Sequence, residues 1–262
     1  MENRITSLFK DQTEKIMSVY FTAGFPNLND TVEILTNLQS QGVRLVEIGI
    51  PFSDPLADGE TIQQSSEAAL KNGMTLKLLF EQLRDIRSEI QIPLILMGYL
   101  NPVMQYGLEQ FCKDCNEVGI DGVIIPDLPL SEYIADYKAT FESYNLCNIC
   151  LVTPQTSEER IRLIDEHSRG FIYVVSSSST TGSKLDTDGQ EEYFVRIERM
   201  NLNNPIMVGF GITDNASFIK ATGHANGAII GSEFIRALRS DEFGLEQNIK
   251  RFVEKISGSL LV

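Results

Sequence analysis

The chain has 262 residues, of which 36 are acidic and 22 are Lys or Arg, for a net charge of −14. That balance excludes a surface built for nucleic acid or an anionic membrane, because neutralising phosphate needs clustered Lys and Arg. No apolar run approaches the roughly 20 residues of a membrane span. The charged N-terminus MENRITSLFKDQTEK lacks the apolar segment of a secretory signal, so a cytoplasmic protein is expected.

Taken in chain order, eight short apolar runs recur: IMSVYFTAG (16–24), VRLVEIGI (43–50), PLILMGY (93–99), GVIIPD (122–127), CNICLVTP (147–154), FIYVVSS (171–177), PIMVGFG (205–211) and GAIIGS (227–232). Each is short and uniformly apolar, as parallel strands buried on both faces are. Helical patterns fill the gaps. TLKLLFEQLRDI places Leu76, Leu79, Phe80, Leu83 and Ile86 on one face, with Thr75 as its N-cap and Gly73 closing the helix before it. NDTVEILTNL, SEYIADYKATF, SEERIRLIDEH, QEEYFVRIERM and EQNIKRFVEKI repeat the pattern.

Eight strands, each followed by helix, in about 250 residues is the count of a (β/α)8 TIM barrel. NRITSLFKDQ would be an extra N-terminal helix capping the barrel floor. A doubly wound open sheet satisfies the same periodicity and stays open as the competitor. No Pro/Ser-rich linker or charge block divides the chain, so residues 1–262 read as a single domain.

The four cysteines form two CxxC pairs, Cys112/Cys115 and Cys147/Cys150. The first pair lies on a helical pattern, where i and i+3 share a face. The second lies on a strand, where they point to opposite faces and could not grip one ion. Reduced structural thiols and no metal are expected. His167 and His224 stand isolated at a helix end and in a loop, and the serine run 176–179 lacks a partnered base.

Chemistry in such a barrel gathers at the C-terminal strand ends. Glu47 interrupts the apolar second run, and PFSDPLADG after it delivers Asp54 and Asp58. Two carboxylates at one strand end can divide acid and base work, since burial raises one pKa relative to the other. The plainer reading is a paired core carboxylate with two turn-capping aspartates. Glycines form a second constellation: Gly182 after the sixth run, Gly209 and Gly211 ending the seventh, Gly227 and Gly231 ending the eighth with Ser232 opening a helix. Close-approaching backbone N–H groups and a helix start would hold a phosphate without Lys or Arg; the alternative is that these glycines only turn corners. Tyr20, Met97, Tyr99, Ile124, Tyr173 and Phe210, at other strand ends, are candidates to line a pocket.

VEIGIPFSDPLADGETIQ, MGYLNPVMQYG, GVIIPDLPLSE, GFGI and GAIIGS, in this order along nearly the whole chain, resemble the tryptophan synthase alpha-subunit family. The resemblance implies a barrel that cleaves indole-3-glycerol phosphate to indole and glyceraldehyde 3-phosphate, a retro-aldol step without a cofactor. It implies a beta-subunit partner in an α2β2 heterotetramer, with pyridoxal phosphate held by the beta chain, which receives the indole through a tunnel. Carried over by position, Glu47 is the acid/base group and Asp58 stabilises positive charge at the indole N–H. Gly182, Gly211, Gly231 and Ser232 match the phosphate cradle; Tyr20, Ile124, Tyr173 and Phe210 match positions around the indole; Thr181 matches the covering loop. Two departures from the family pattern are Glu60, where Pro is usual, and Ser179 in the covering loop, which put lid dynamics and beta-chain activation in question. A stand-alone indole-releasing lyase and a weakly catalytic subunit that activates the beta chain are the alternatives; the presence of both carboxylates speaks against the second.

Overall fold

A computed structural model describes residues 3–10, 14–175, 187–209 and 211–259. Nine strand segments form one sheet: β1 (Ile16–Thr22), β2 (Leu45–Gly49), β3 (Leu94–Met97), β4 (Gly122–Ile124), β5 (Cys147–Asn148), β6 (Leu151–Val152), β7 (Ile172–Val175), β8 (Ile206–Gly209) and β9 (Gly227–Ile230). Every pairing is parallel, and the lateral order is β5-β4-β3-β2-β1-β9-β8-β7-β6.

The two ends of that order, β5 and β6, are halves of one run, CNICLV. β5 pairs with β4 and β6 with β7. Between them the Ile149 N–H donates to the Val123 carbonyl and the Tyr173 N–H to the Cys150 carbonyl, each at 3.0 Å. The ladder therefore runs full circle: the sheet is a closed (β/α)8 barrel, and the open-sheet alternative falls. The expected fifth strand is present but broken at Ile149 and Cys150, where the chain leaves one neighbour for the next. A local break of this kind bends a ladder around a corner.

All five residues of β2 are buried, as the uniformly apolar run predicts for a strand covered on both faces. Helices form the outer layer. Thr75 caps Leu76–Leu83 by accepting from the Leu78 N–H at 3.1 Å, and Ser157 caps Glu158–His167 in the same way. The Leu130–Ser143 stretch departs from the plain helix its pattern suggests, passing through a π-helical segment at Tyr133–Tyr137. Among the described residues no helix is long and apolar enough to cross a membrane.

The extra helix, Arg4–Lys10, closes the floor. Ile5 is fully buried and sits against Gly122 and Gly170, while Phe9 meets Phe171 at 5.9 Å between ring centroids. Beside it Asp121, buried just before β4, receives Arg4 at 3.0 Å, Arg87 at 2.7 Å and the Leu94 N–H at 3.0 Å. Arg87 also reaches the carbonyls of Gly119, Ile90 and Ile92. Every charge buried here has partners, the condition under which a buried ion cluster is tolerated.

Candidate active site

The strand register decides which way Glu47 faces. In parallel ladders, residues paired across neighbouring strands point to the same side. Glu47 pairs with Tyr20 on β1 and with Ile95 on β3, and Tyr20 lines a cavity at the barrel mouth. Glu47 therefore points into the barrel. Its side chain is fully buried, and neither carboxyl oxygen has a hydrogen-bond partner among the described residues. Burial pushes its pKa up to about 8. Ser18, one inward position below Tyr20, draws it slightly back, but the Ser18 hydroxyl is itself unpartnered, so no well-formed bond restrains the carboxyl. The reading as a paired core carboxylate finds no support among the described residues: no cation meets this group and no well-formed hydrogen bond restrains it, and at neutral pH it holds its proton.

Asp58 approaches from the loop after β2. Burial raises its pKa to about 6, opposed by a hydrogen bond from Tyr99. The Tyr99 hydroxyl donates to Asp58 Oδ2 at 3.2 Å and accepts from the Ala57 N–H at 2.9 Å. Gln63 fastens the loop further, its amide donating to the Asp58 carbonyl at 2.8 Å. Asp54 turns away from the site and bonds the neighbouring Ser53 hydroxyl at the surface. Burial pushes the phenol pKa values of Tyr20 and Tyr173 up, and the nearby Glu47 and Asp58 carboxylates add to the rise. Two carboxyls of different basicity thus lie at one space, Asp58 on its wall and Glu47 buried behind it.

That space is a cavity of about 590 Å³ at the C-terminal strand ends, bounded by Tyr20, Asp58, Met97, Tyr173, Gly211 and Gly231, among others. Gly211 follows β8 with φ +76°, a left-handed conformation in which a side chain would be strained. Gly231 precedes the helix Ser232–Leu238, so the backbone N–H groups of its first turn have no partners within the helix. Glycine and helix start converge on one wall, the arrangement that suits a bound anion.

The comparisons with known proteins agree along the chain. The family model described as tryptophan synthase alpha chain matches residues 7–260. The chain belongs to the tryptophan synthase alpha chain family. A tryptophan synthase alpha chain from Parabacteroides distasonis is 61% identical over 240 residues, spanning 91% of this chain and 93% of that one. The crystal structure of tryptophan synthase subunit alpha from Legionella pneumophila matches with a TM-score of 0.89 at 31% identity, over 99% of this chain and 98% of that one. A tryptophan synthase complex from Pyrococcus furiosus matches with a TM-score of 0.84 at 30% identity, over 93% and 98%.

Of the residues the resemblance to the tryptophan synthase alpha chains singles out, the structure gathers Tyr20, Asp58, Tyr173, Gly211, Gly231 and Ser232 around the cavity. Glu47 lies behind that surface, inward but closed off. Ile124 pairs with Met97 in the ladder and is fully buried, beside the cavity wall formed by the described residues but not on it. Thr181, Gly182, Ser179 and Phe210 lie outside the described residues. Sequence reasoning missed Glu233 and Arg236, which also line the cavity. Arg236 grips Glu233 at 2.8 Å, and Lys255 from the last helix meets the same carboxylate at 2.6 Å. Their i, i+3 spacing reads as an ordinary surface pair, and nothing in the sequence ties Lys255 to it. Of the two histidines, His224 bridges Glu191 and Glu198 at 2.9 Å each, away from the cavity.

Proposed function

We propose that the chain carries out the lyase reaction of tryptophan synthase alpha chains with Glu47 and Asp58 as its working pair. The reaction splits indole-3-glycerol phosphate into indole and glyceraldehyde 3-phosphate, a step of tryptophan biosynthesis. Cleaving the bond between the indole ring and the glyceryl chain first requires a proton on the ring carbon. Glu47, protonated at neutral pH, supplies it. The positive charge that appears at the ring N–H is met by Asp58, ionised over the same range. Glu47, now a carboxylate, accepts the proton of the glyceryl hydroxyl; the carbon–carbon bond breaks, its electrons return to the ring, and indole and the aldehyde result. One group thus serves as acid and then base, which a pKa near the working pH favours.

Gly211, Gly231 and Ser232 hold the phosphate in this reading, Tyr20 and Tyr173 flank the indole, and Thr181, Gly182, Phe210 and Ile124 take their places from the sequence match alone. A single barrel domain over residues 1–262 is supported by the closed ladder. The steps ask only proton transfer and charge stabilisation of this chain; pyridoxal phosphate belongs to the beta chain. The chain works with that beta subunit in an α2β2 assembly. Leu56, 85% exposed two residues before Asp58, offers an apolar handle through which a partner could reach the catalytic loop.

The observation that carries the proposal is the unpartnered, inward carboxyl of Glu47. Turnover of indole-3-glycerol phosphate by wild type and Glu47→Gln, each with and without the beta chain, tests it. A loss of about 100-fold or more is expected for the variant. Unchanged turnover would remove Glu47 from the reaction. Full turnover by the wild type alone would favour the stand-alone lyase.

A further inference from the structure

Tyr99 stands at the end of β3 with its ring buried and its hydroxyl under the loop that brings Asp58 to the cavity. We propose that Tyr99 is the positioning residue of Asp58, fixing the direction of that carboxylate through one hydroxyl shared between its side chain and the backbone of Ala57. The inference rests on the role of Asp58 given above and adds a residue to it.

Three features of the structure support it. First, the hydroxyl has its polarity set. A phenol oxygen carries one proton; here the Ala57 N–H donates to it at 2.9 Å, so the proton turns to Asp58 Oδ2 at 3.2 Å. The aspartate is met as an acceptor, which favours its ionised form. Second, the ring cannot swing away. Tyr99 packs tilted against Phe52, with centroids 5.1 Å apart and planes at 30°, and the next residue is tied down where the Leu100 N–H donates to Asp127 at 2.8 Å. Phe52 belongs to the same loop as Asp58, so Tyr99 holds that loop at both ends. Third, no other group among the described residues donates to the Asp58 carboxyl; Gln63 reaches only its backbone carbonyl.

Among the described residues the charged and titratable groups around Asp58 are few, and they include Glu233 on the cavity wall. Tyr20 and Tyr173 face it from β1 and β7, both protonated; Glu47 lies on β2, Arg236 lines the same cavity from the Ser232–Leu238 helix, and Asp127 acts on Tyr99 from beyond β4. Burial raises Asp58 to about 6, and the Tyr99 bond is what opposes that rise. Removing the hydroxyl leaves burial unopposed, so the pKa climbs.

The test is the pH dependence of kcat for cleavage of indole-3-glycerol phosphate, measured from pH 5 to 9 on the full chain with its beta chain. Tyr99→Phe keeps the ring and its contact with Phe52 and removes one oxygen. The expected result is a kcat lower by about tenfold, a KM within about twofold, and an acidic limb moved up by about half to one pH unit. Gln63→Met loosens the same loop without touching the carboxyl, and its acidic limb should stay in place. An unmoved limb in Tyr99→Phe, or an equal shift in Gln63→Met, overturns the proposal. Asp58→Asn separates the two levels. If that variant loses activity while Tyr99→Phe behaves as wild type, only the role of Tyr99 fails; if Asp58→Asn is itself fully active, the role of Asp58 fails and takes that of Tyr99 with it.

Discussion

Tyr20 and Gly49 share one volume: the Tyr20 ring lies across the inward face of position 49, and a side chain there would collide with its hydroxyl. The two residues sit on neighbouring strands, Tyr20 being the register partner of Glu47 and Gly49 the next inward position along β2. Tyr173 stands in the same relation to Gly209 across β7 and β8. The barrel mouth is thus lined by two aromatic rings, each lying in the space left by a missing side chain. Gly49→Ala is expected to push Tyr20 off its seat. Overpacking of this kind costs about 1–3 kcal/mol, and the displaced ring should lower kcat/KM for indole-3-glycerol phosphate by about tenfold or more. Urea unfolding and steady-state kinetics check both, and wild-type values in both would mean that Tyr20 has another place to go.

Glu47 makes stability depend on pH in a direction opposite to that of an ordinary ion-paired carboxylate. Its pKa rises from 4.5 to about 8 on burial. Below 4.5 the folded and unfolded chains both hold the proton, and the group costs nothing. Between 4.5 and 8 the unfolded chain has released the proton while the folded one retains it, so stability falls as pH rises, by about 3 kcal/mol at pH 7. Above 8 the cost is complete. Glu47→Gln removes this dependence. Thermal melts should therefore show the variant gaining over wild type by several degrees more at pH 8 than at pH 5, even as its turnover collapses. An equal gain at both values would mean that the wild-type carboxyl ionises freely.

The barrel was legible because its strands are uniformly apolar runs of similar length, and the eight runs account for all nine segments. What the pattern could not show is the break in CNICLV: Ile149 and Cys150 fit a strand as well as their neighbours, and only closing the ladder reveals that the two halves serve different partners. Asp58, Gly211 and Gly231 were legible because loops at strand ends expose their chemistry in residue type; Gly227, expected at such an end, instead opens β9 at the floor side. Tyr99 could be named only as a pocket aromatic. Its bond to Asp58 joins the end of β3 to the loop after β2, and no sequence spacing encodes such a contact. The clamp of Lys255 on Glu233 was hidden for the same reason, since 22 residues and a turn separate them.

Gly211 offers a test of the anion cradle. Among the described residues nothing lies within 4 Å of the point where its Cβ would sit; the penalty falls on the backbone, whose φ of +76° a β-branched side chain resists. Gly211→Val should turn the local N–H groups away from the cavity. A KM for indole-3-glycerol phosphate raised about tenfold or more is expected, with competitive inhibition by glycerol 3-phosphate weakened in step and kcat changed less. An unchanged KM would place the phosphate elsewhere.

The floor and the mouth of the barrel should respond separately to mutation. Asp121 joins the N-terminal helix, the Arg87 segment and the start of β3 at the end of the barrel opposite the cavity. Asp121→Asn preserves the shape of the side chain but removes the charge facing two guanidinium groups, one of them, Arg87, largely buried. Breaking one partner out of a buried ion cluster costs about 3–5 kcal/mol, because the remaining charge is left without compensation. At roughly 2–4 °C per kcal/mol for a chain of this size, the midpoint of thermal unfolding should fall by about 10 °C. Well below that midpoint, kcat and KM should stay within about twofold of wild type, since no element of the cluster reaches the strand ends where substrate would bind. A large kinetic defect in a variant that still melts cooperatively would show that the floor and the mouth are coupled through the strands.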